Sequence, residues 1–89
     1  MKISFTRDGW EDYTPWTTER TILKRVNRMI EEAARDPTAG IGKPERLSHN
    51  LSGYWSRRIT DEHRLVYQLR DDELIIVQAR YHYSREVSH

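Results

Sequence analysis

The stretch TERTILKRVNRMIEEAAR, Thr18 to Arg35, decides the architecture of this chain. Its apolar residues Ile22, Val26, Met29, Ile30 and Ala33 recur at i, i+4, i+7, i+8 and i+11, one stripe of an α-helix with charged residues elsewhere. Asp36-Pro37 ends it, because a residue before proline avoids the helical region. Upstream, Ile3 and Phe5 alternate with polar residues and predict a short first strand. Thr6 is placed to cap a helix in which Trp10, Tyr13 and Trp16 fall three apart on one face, and Pro15 ends or kinks that helix. Downstream, residues 36–50 read as a loop carrying Gly40, Gly42 and Pro44. Three segments then follow, at about 53–59, 63–70 and 73–83, rich in Val, Ile, Tyr and Trp and joined by the short turns Thr60-Asp61-Glu62 and Asp71-Asp72. Connections that short join antiparallel neighbours. The expected fold is α+β, of order β-α-α-β-β-β, with a twisted antiparallel sheet and a helical pair on one face.

The chain has 89 residues, room for one small domain. It has no cysteine, which excludes a disulfide framework, a thiolate metal site and a cysteine nucleophile. The longest apolar run, Leu74 to Val77, is far short of the roughly 20 residues that span a bilayer. No apolar signal core follows Met1, so a cytoplasmic location without membrane attachment is expected. Lys+Arg number 15 against 14 Asp+Glu, a net charge of +1 that is too small to hold nucleic acid by bulk charge alone. Twelve of those bases are Arg, the residue that makes planar, bidentate contacts to phosphate and carboxylate. The charge is also segregated. Lys43, Arg46, Arg57, Arg58, Arg64 and Arg70 outnumber Glu45, Asp61 and Glu62, and Asp71, Asp72 and Glu73 follow in one acidic hairpin.

Several motifs dissolve on inspection. Gly40-Ile41-Gly42-Lys43-Pro44 has the look of a phosphate loop, but Pro37 and Pro44 stand where a nucleotide-binding loop needs Gly and Ser or Thr. His49, His63, His82 and His89 lie at no metal-ligand spacing, so no metal and no cofactor is expected. Ser52 lacks the elbow setting of a nucleophile. Three features keep two readings each. Arg57-Arg58 is expected mid-strand, where neighbours face opposite sides: one is solvated and one pairs with a carboxylate on the next strand, or they contact phosphate. Tyr81-His82-Tyr83 either caps a core or forms a base-stacking platform beside a titratable imidazole. Glu45 is a solvated loop carboxylate or a proton acceptor. A carboxylate, an imidazole and guanidiniums are together the set that cleaves RNA without metal: a base for the 2′-hydroxyl, an acid for the leaving 5′ oxygen, and cations for the phosphorane.

The run Gly42-Lys43-Pro44-Glu45, then His49 to Ile59, then Glu62-His63-Arg64-Leu65-Val66-Tyr67, closing with Arg80-Tyr81-His82-Tyr83, resembles the YoeB toxins of the RelE superfamily. Trp10-Glu11-Asp12-Tyr13 and Trp16 fit the same pattern, so the resemblance covers about residues 1–83, with 84–89 expected as a short flexible tail. It implies a ribosome-dependent endoribonuclease that cleaves messenger RNA in the ribosomal A site. It further implies a YefM-type antitoxin with an acidic, partly disordered segment, binding of operator DNA only as the toxin–antitoxin complex, and a homodimer. Carried over by motif, Glu45 is the general base, His82 the general acid, Arg64 the stabiliser of the phosphorane, and Tyr83 the residue that stacks on or orients the nucleotide. Lys43 and Arg58 are implied as supporting phosphate contacts, and Arg46 and Arg57 are further candidates for RNA or phosphate binding by their charge. Arg46 and Ser48 stand where the family often has Pro and Lys. A non-catalytic homologue that binds antitoxin or ribosome without cutting is the alternative; a gyrase poison is opposed by the Glu45 and His82-Tyr83 set.

Overall fold

The computed structural model describes residues 1–47 and 53–81. Ser48, His49, Ser52, the His82-Tyr83 pair and the tail 84–89 lie outside the described residues. The chain runs β1 (Lys2–Phe5), α1 (Arg7–Tyr13), a 3-10 helix (Thr14–Thr18), α2 (Arg20–Arg35), β2 (Glu45–Arg46), β3 (Tyr54–Arg58), β4 (Arg64–Arg70) and β5 (Glu73–Gln78).

α1 begins and ends where local chemistry dictates. The Thr6 hydroxyl accepts the Gly9 N–H at 3.1 Å and caps α1. Pro15 shifts the chain into the 3-10 helix. That change of phase separates the three aromatics expected on one face. Trp16 is buried, while Trp10 is 53% exposed and joins an outer cluster with Phe5 and Tyr13. The stripe of α2 buries Val26, Met29, Ile30 and Ala33 against Leu65, Tyr67, Leu74 and Ile76 of the sheet. Each fully buried Val, Ile or Met side chain is worth roughly 1.5–3 kcal/mol, so this stripe is the main bond between the layers.

The sheet order is β1-β5-β4-β3-β2. Two points differ from the expectation. The sheet is mixed, because β1 pairs with β5 in parallel, Lys2 opposite Glu73 and Phe5 opposite Ile76. A parallel partner reached only after the helices and three intervening strands leaves no short-range turn signal. The loop after α2 also contributes a strand, the two-residue β2 antiparallel to β3. Two residues cannot show an alternation.

A third correction concerns Arg57. It is 0% exposed, and its guanidinium donates to the carbonyls of Asp36, Ala39 and Ile41 and to the Tyr67 hydroxyl, which itself donates to Pro37. Its partners are carbonyls and a phenol rather than a carboxylate. With its donors directed inward, it is not available to an RNA phosphate. It organises residues 36–41 instead. Gly40, at φ +115°, lies so close that a Cβ there would meet the Glu32 carboxylate and the Arg57 guanidinium.

Candidate active site

Side-chain alternation sorts the site residues onto two faces. In an antiparallel ladder, directly opposed residues share a face. Glu45 is opposite Ser56, and Ser56 is opposite Val66. A register shift in β5 at Val66/Tyr67 then brings Gln78 opposite Val66. These four form one row across the sheet, on the side turned away from α2. Two residues along, Arg58 is opposite Arg64 on that same side. With strands about 4.8 Å apart and a rise of about 3.4 Å, the Cα of Glu45 is roughly 8 Å from that of Arg58 and roughly 12 Å from that of Arg64.

Arg46 is opposite Trp55, which packs toward the core. It therefore sits on the helix side, away from Glu45, exposed on the edge strand. Lys43 is exposed, in left-handed backbone at φ 52°, two residues before Glu45. The loop meets the sheet here, where the Arg58 N–H donates to the Gly42 carbonyl at 2.6 Å.

Arg58 and Arg64 face each other directly. Like charges in opposed positions repel. Among the described residues neither is ion-paired. Arg58 is exposed. The Arg64 guanidinium is steered from one end, with Nη1 donating to the carbonyls of Thr60 and Asp61 at 2.7 and 3.1 Å and to its neighbour His63. Its Nε and Nη2 have no hydrogen-bond partner among the described residues. α2 supports the turn beneath it, since Arg25 donates to the carbonyls of Arg58 and Ile59. Two opposed guanidiniums, with donors that have no partner among the described residues, and a carboxylate one strand from Arg58 make a site for a bound anion beside a proton acceptor. No cluster of three His, Asp or Glu side chains placed for a metal ion occurs among the described residues.

The backbone leaving β5 is fixed beside this pair. Asp12 accepts the Ala79 N–H and the Trp16 indole donates to the Ala79 carbonyl at 2.7 Å. The Gln78 amide donates to the carbonyls of Arg80 and Tyr81. The Arg80 guanidinium lies over the Trp16 ring at 3.8 Å. The Arg64 N–H donates to the Tyr81 carbonyl, so the described chain ends against Arg64, one peptide bond before His82. In the sequence Asp12 belongs to a motif, Trp16 to that motif and to an aromatic face, and Gln78 to neither. Their role is to hold backbone, and it has no signature in residue type.

A family model described as a YoeB-like toxin of bacterial type II toxin-antitoxin system matches residues 5–83. The chain belongs to the YoeB-like toxin family. It is 62% identical over 84 residues to Toxin YoeB of Streptomyces coelicolor, covering 93% of this chain and all of that one. Among solved structures, a YoeB/ParE toxin from Agrobacterium tumefaciens superposes with a TM-score of 0.88 at 44% identity, covering 93% of this chain and 100% of the other. A chain of the YoeB-YefM complex from Staphylococcus aureus superposes at 0.83 with 40% identity, covering 93% and 98%. The S. aureus YoeB dimer gives the same figures. The α+β fold read from the helical stripe and the hairpins is thus that of YoeB structures, and this chain is a toxin of the type II class.

Proposed function

We propose that this YoeB-family toxin is a ribosome-dependent endoribonuclease that cleaves messenger RNA in the A site by metal-free attack of a 2′-hydroxyl. The observation that carries this is the shared face of Glu45, Arg58 and Arg64, with the Tyr81 carbonyl tied to the Arg64 N–H. Glu45 removes the proton of the 2′-hydroxyl, whose oxygen attacks the adjacent phosphorus. Arg64, steered at Nη1, offers Nε and Nη2 to the charge that develops on the phosphorane, with Arg58 as a second cation and Lys43 as a further phosphate contact. His82, one bond beyond the anchored Tyr81, protonates the leaving 5′ oxygen, and Tyr83 stacks on or orients the nucleotide. Three cations suffice because the ribosome, in the cytoplasm, positions the substrate.

A YefM-type antitoxin is the proposed partner, on the strength of the S. aureus complex. Its acidic segment orders on the exposed arginine face, and operator DNA is bound only by that complex. A homodimer is proposed from the S. aureus dimer.

Primer extension on translating ribosomes tests the nuclease. New 5′ ends are expected with the natural chain and a loss of roughly 10²–10⁴-fold with Glu45→Ala or His82→Ala. Absence of new ends from the natural chain refutes the activity and leaves a binder. Full cutting by the folded variants refutes the assigned chemistry. A cognate antitoxin should raise the melting temperature, and an unchanged melting temperature refutes the partner.

A further inference from the structure

His63 is the one described histidine, and the mechanism above does not use it. It follows the turn Thr60-Asp61-Glu62, partly buried between two rings, edge-on to Trp16 at 5.0 Å and tilted on Tyr81 at 5.6 Å. Its Nδ1 accepts the backbone N–H of Tyr81 at 2.7 Å. A ring nitrogen accepts only when it carries no proton, so this bond exists only for the neutral imidazole with its proton on Nε2. The Glu62 carboxylate lies 3.8 Å from Nε2, on the side that favours that tautomer.

Tyr81 is the reason the bond matters. Its φ is +64°, left-handed backbone that a bulky side chain rarely adopts. Such a conformation persists where the surroundings over-determine it. Its carbonyl is held by the Arg64 N–H and the Gln78 amide, and its N–H by His63. Without the His63 acceptor, the peptide N–H on the φ side of Tyr81 loses this partner, and φ can relax.

We propose that His63 is a positioning residue whose unprotonated Nδ1 holds Tyr81 in its left-handed turn and so sets where the chain carrying His82 and Tyr83 departs from Arg64. The consequence for activity rests on the nuclease reading above; the latch itself does not. The surroundings favour the neutral ring. Burial lowers the His63 pKa from its ordinary value of 6.5, Arg80 and Arg64 push the same way, and Glu62 and Glu19 oppose them. Acid therefore opens the latch at a pH below that at which an exposed histidine titrates.

The test uses the full chain and reads the latch and the activity separately. The His63 imidazole nitrogen shifts and the Tyr81 amide-exchange protection, corrected for intrinsic rate, are followed by NMR against pH. Protection is expected to fall as His63 gains its proton. His63→Asn places a non-titrating acceptor near the Nδ1 position and should keep the protection with no inflection. His63→Ala should lose it at every pH. On programmed ribosomes His63→Ala should lower kcat roughly 10- to 100-fold with KM little changed, as expected when a reacting group is misplaced rather than removed. His63→Asn should restore most of kcat. Tyr81 protection that ignores both pH and His63→Ala overturns the latch. Intact kcat in His63→Ala despite lost protection overturns the positioning role. If the natural chain cuts no RNA, the nuclease reading fails while the exchange arm still decides the latch. If His63→Ala does not fold, the pH dependence of the natural chain against His63→Asn decides it.

Discussion

Replacing Arg57 by Ala tests whether this arginine serves the fold or the substrate. Its guanidinium makes four hydrogen bonds, to Asp36, Ala39, Ile41 and Tyr67, and none of its surface is exposed. A net value of about 1 kcal/mol per bond, with some loss from the vacated volume, gives roughly 3–5 kcal/mol, the usual cost of breaking a buried charged network. A domain of this length has a total stability of about 4–13 kcal/mol. At about 4–8 °C per kcal/mol, the midpoint should drop by roughly 12–40 °C, enough to leave the variant partly unfolded near room temperature. Arg57→Lys keeps the charge but loses the fork, so it should rescue only part of this. The neighbour Arg58 is exposed, and Arg58→Ala should stay within about 0.5 kcal/mol of the parent. Guanidinium chloride unfolding followed by circular dichroism compares the three. Equal midpoints for Arg57→Ala and Arg58→Ala would refute the structural role. A stable Arg57→Ala chain with salt-sensitive loss of ribosome binding would return Arg57 to the phosphate.

Other outcomes follow from the same geometry. Arg64→Lys cannot steer a guanidinium from Nη1 while offering two further donors, so cleavage should fall roughly 10²–10³-fold in the primer-extension assay with the melting temperature little changed. Gly9→Ala puts a methyl group against the Ile76 carbonyl where α1 meets β5 and should cost about 1–3 kcal/mol in chemical denaturation. Trp16→Phe removes the indole donor from the Ala79 carbonyl and should cost about 1–3 kcal/mol, measured the same way. Acid should loosen the loop after α2. The Ile41 N–H and then Arg28 hold the Glu32 carboxyl below its ordinary 4.5, and the Thr38 N–H and hydroxyl hold Asp36 below 3.8. The stability these groups contribute is present above those values and is lost as pH falls through their folded pKa values, which lie lower, so Ile41 amide protection should drop only once pH falls below the ordinary Glu value of 4.5.

What could be read from the sequence was local. The stripe of α2, the Thr6 cap, the break at Pro15 and the turns at 60–62 and 71–72 each depend on residues a few positions apart, and they stand where expected. What could not be read was pairing over distance. Nothing in Ile3 and Phe5 says that their partner is the last strand and that it runs parallel. Glu45-Arg46 became a strand only because β3 offered an edge. The same limit split the expected site. Glu45 and Arg64 were found by resemblance, and their common face came only from the register. Arg46 and Arg57 were chosen for charge, yet alternation sends one to the other face and burial removes the other. His63 gave no signal, because its partner is a backbone N–H.

The parallel pairing of β1 with β5 also sets a timetable. Lys2 waits for Glu73, and at about 5–20 residues per second that is roughly 4–14 s of synthesis. Until then β1 has no strand to join, and the fixed backbone at Ala79–Tyr81 does not exist. The newborn chain is thus built on the machine it is proposed to attack, yet its sheet cannot close until the strand Glu73–Gln78 has been made. The interval before those residues are made is time in which a partner made earlier can already be waiting.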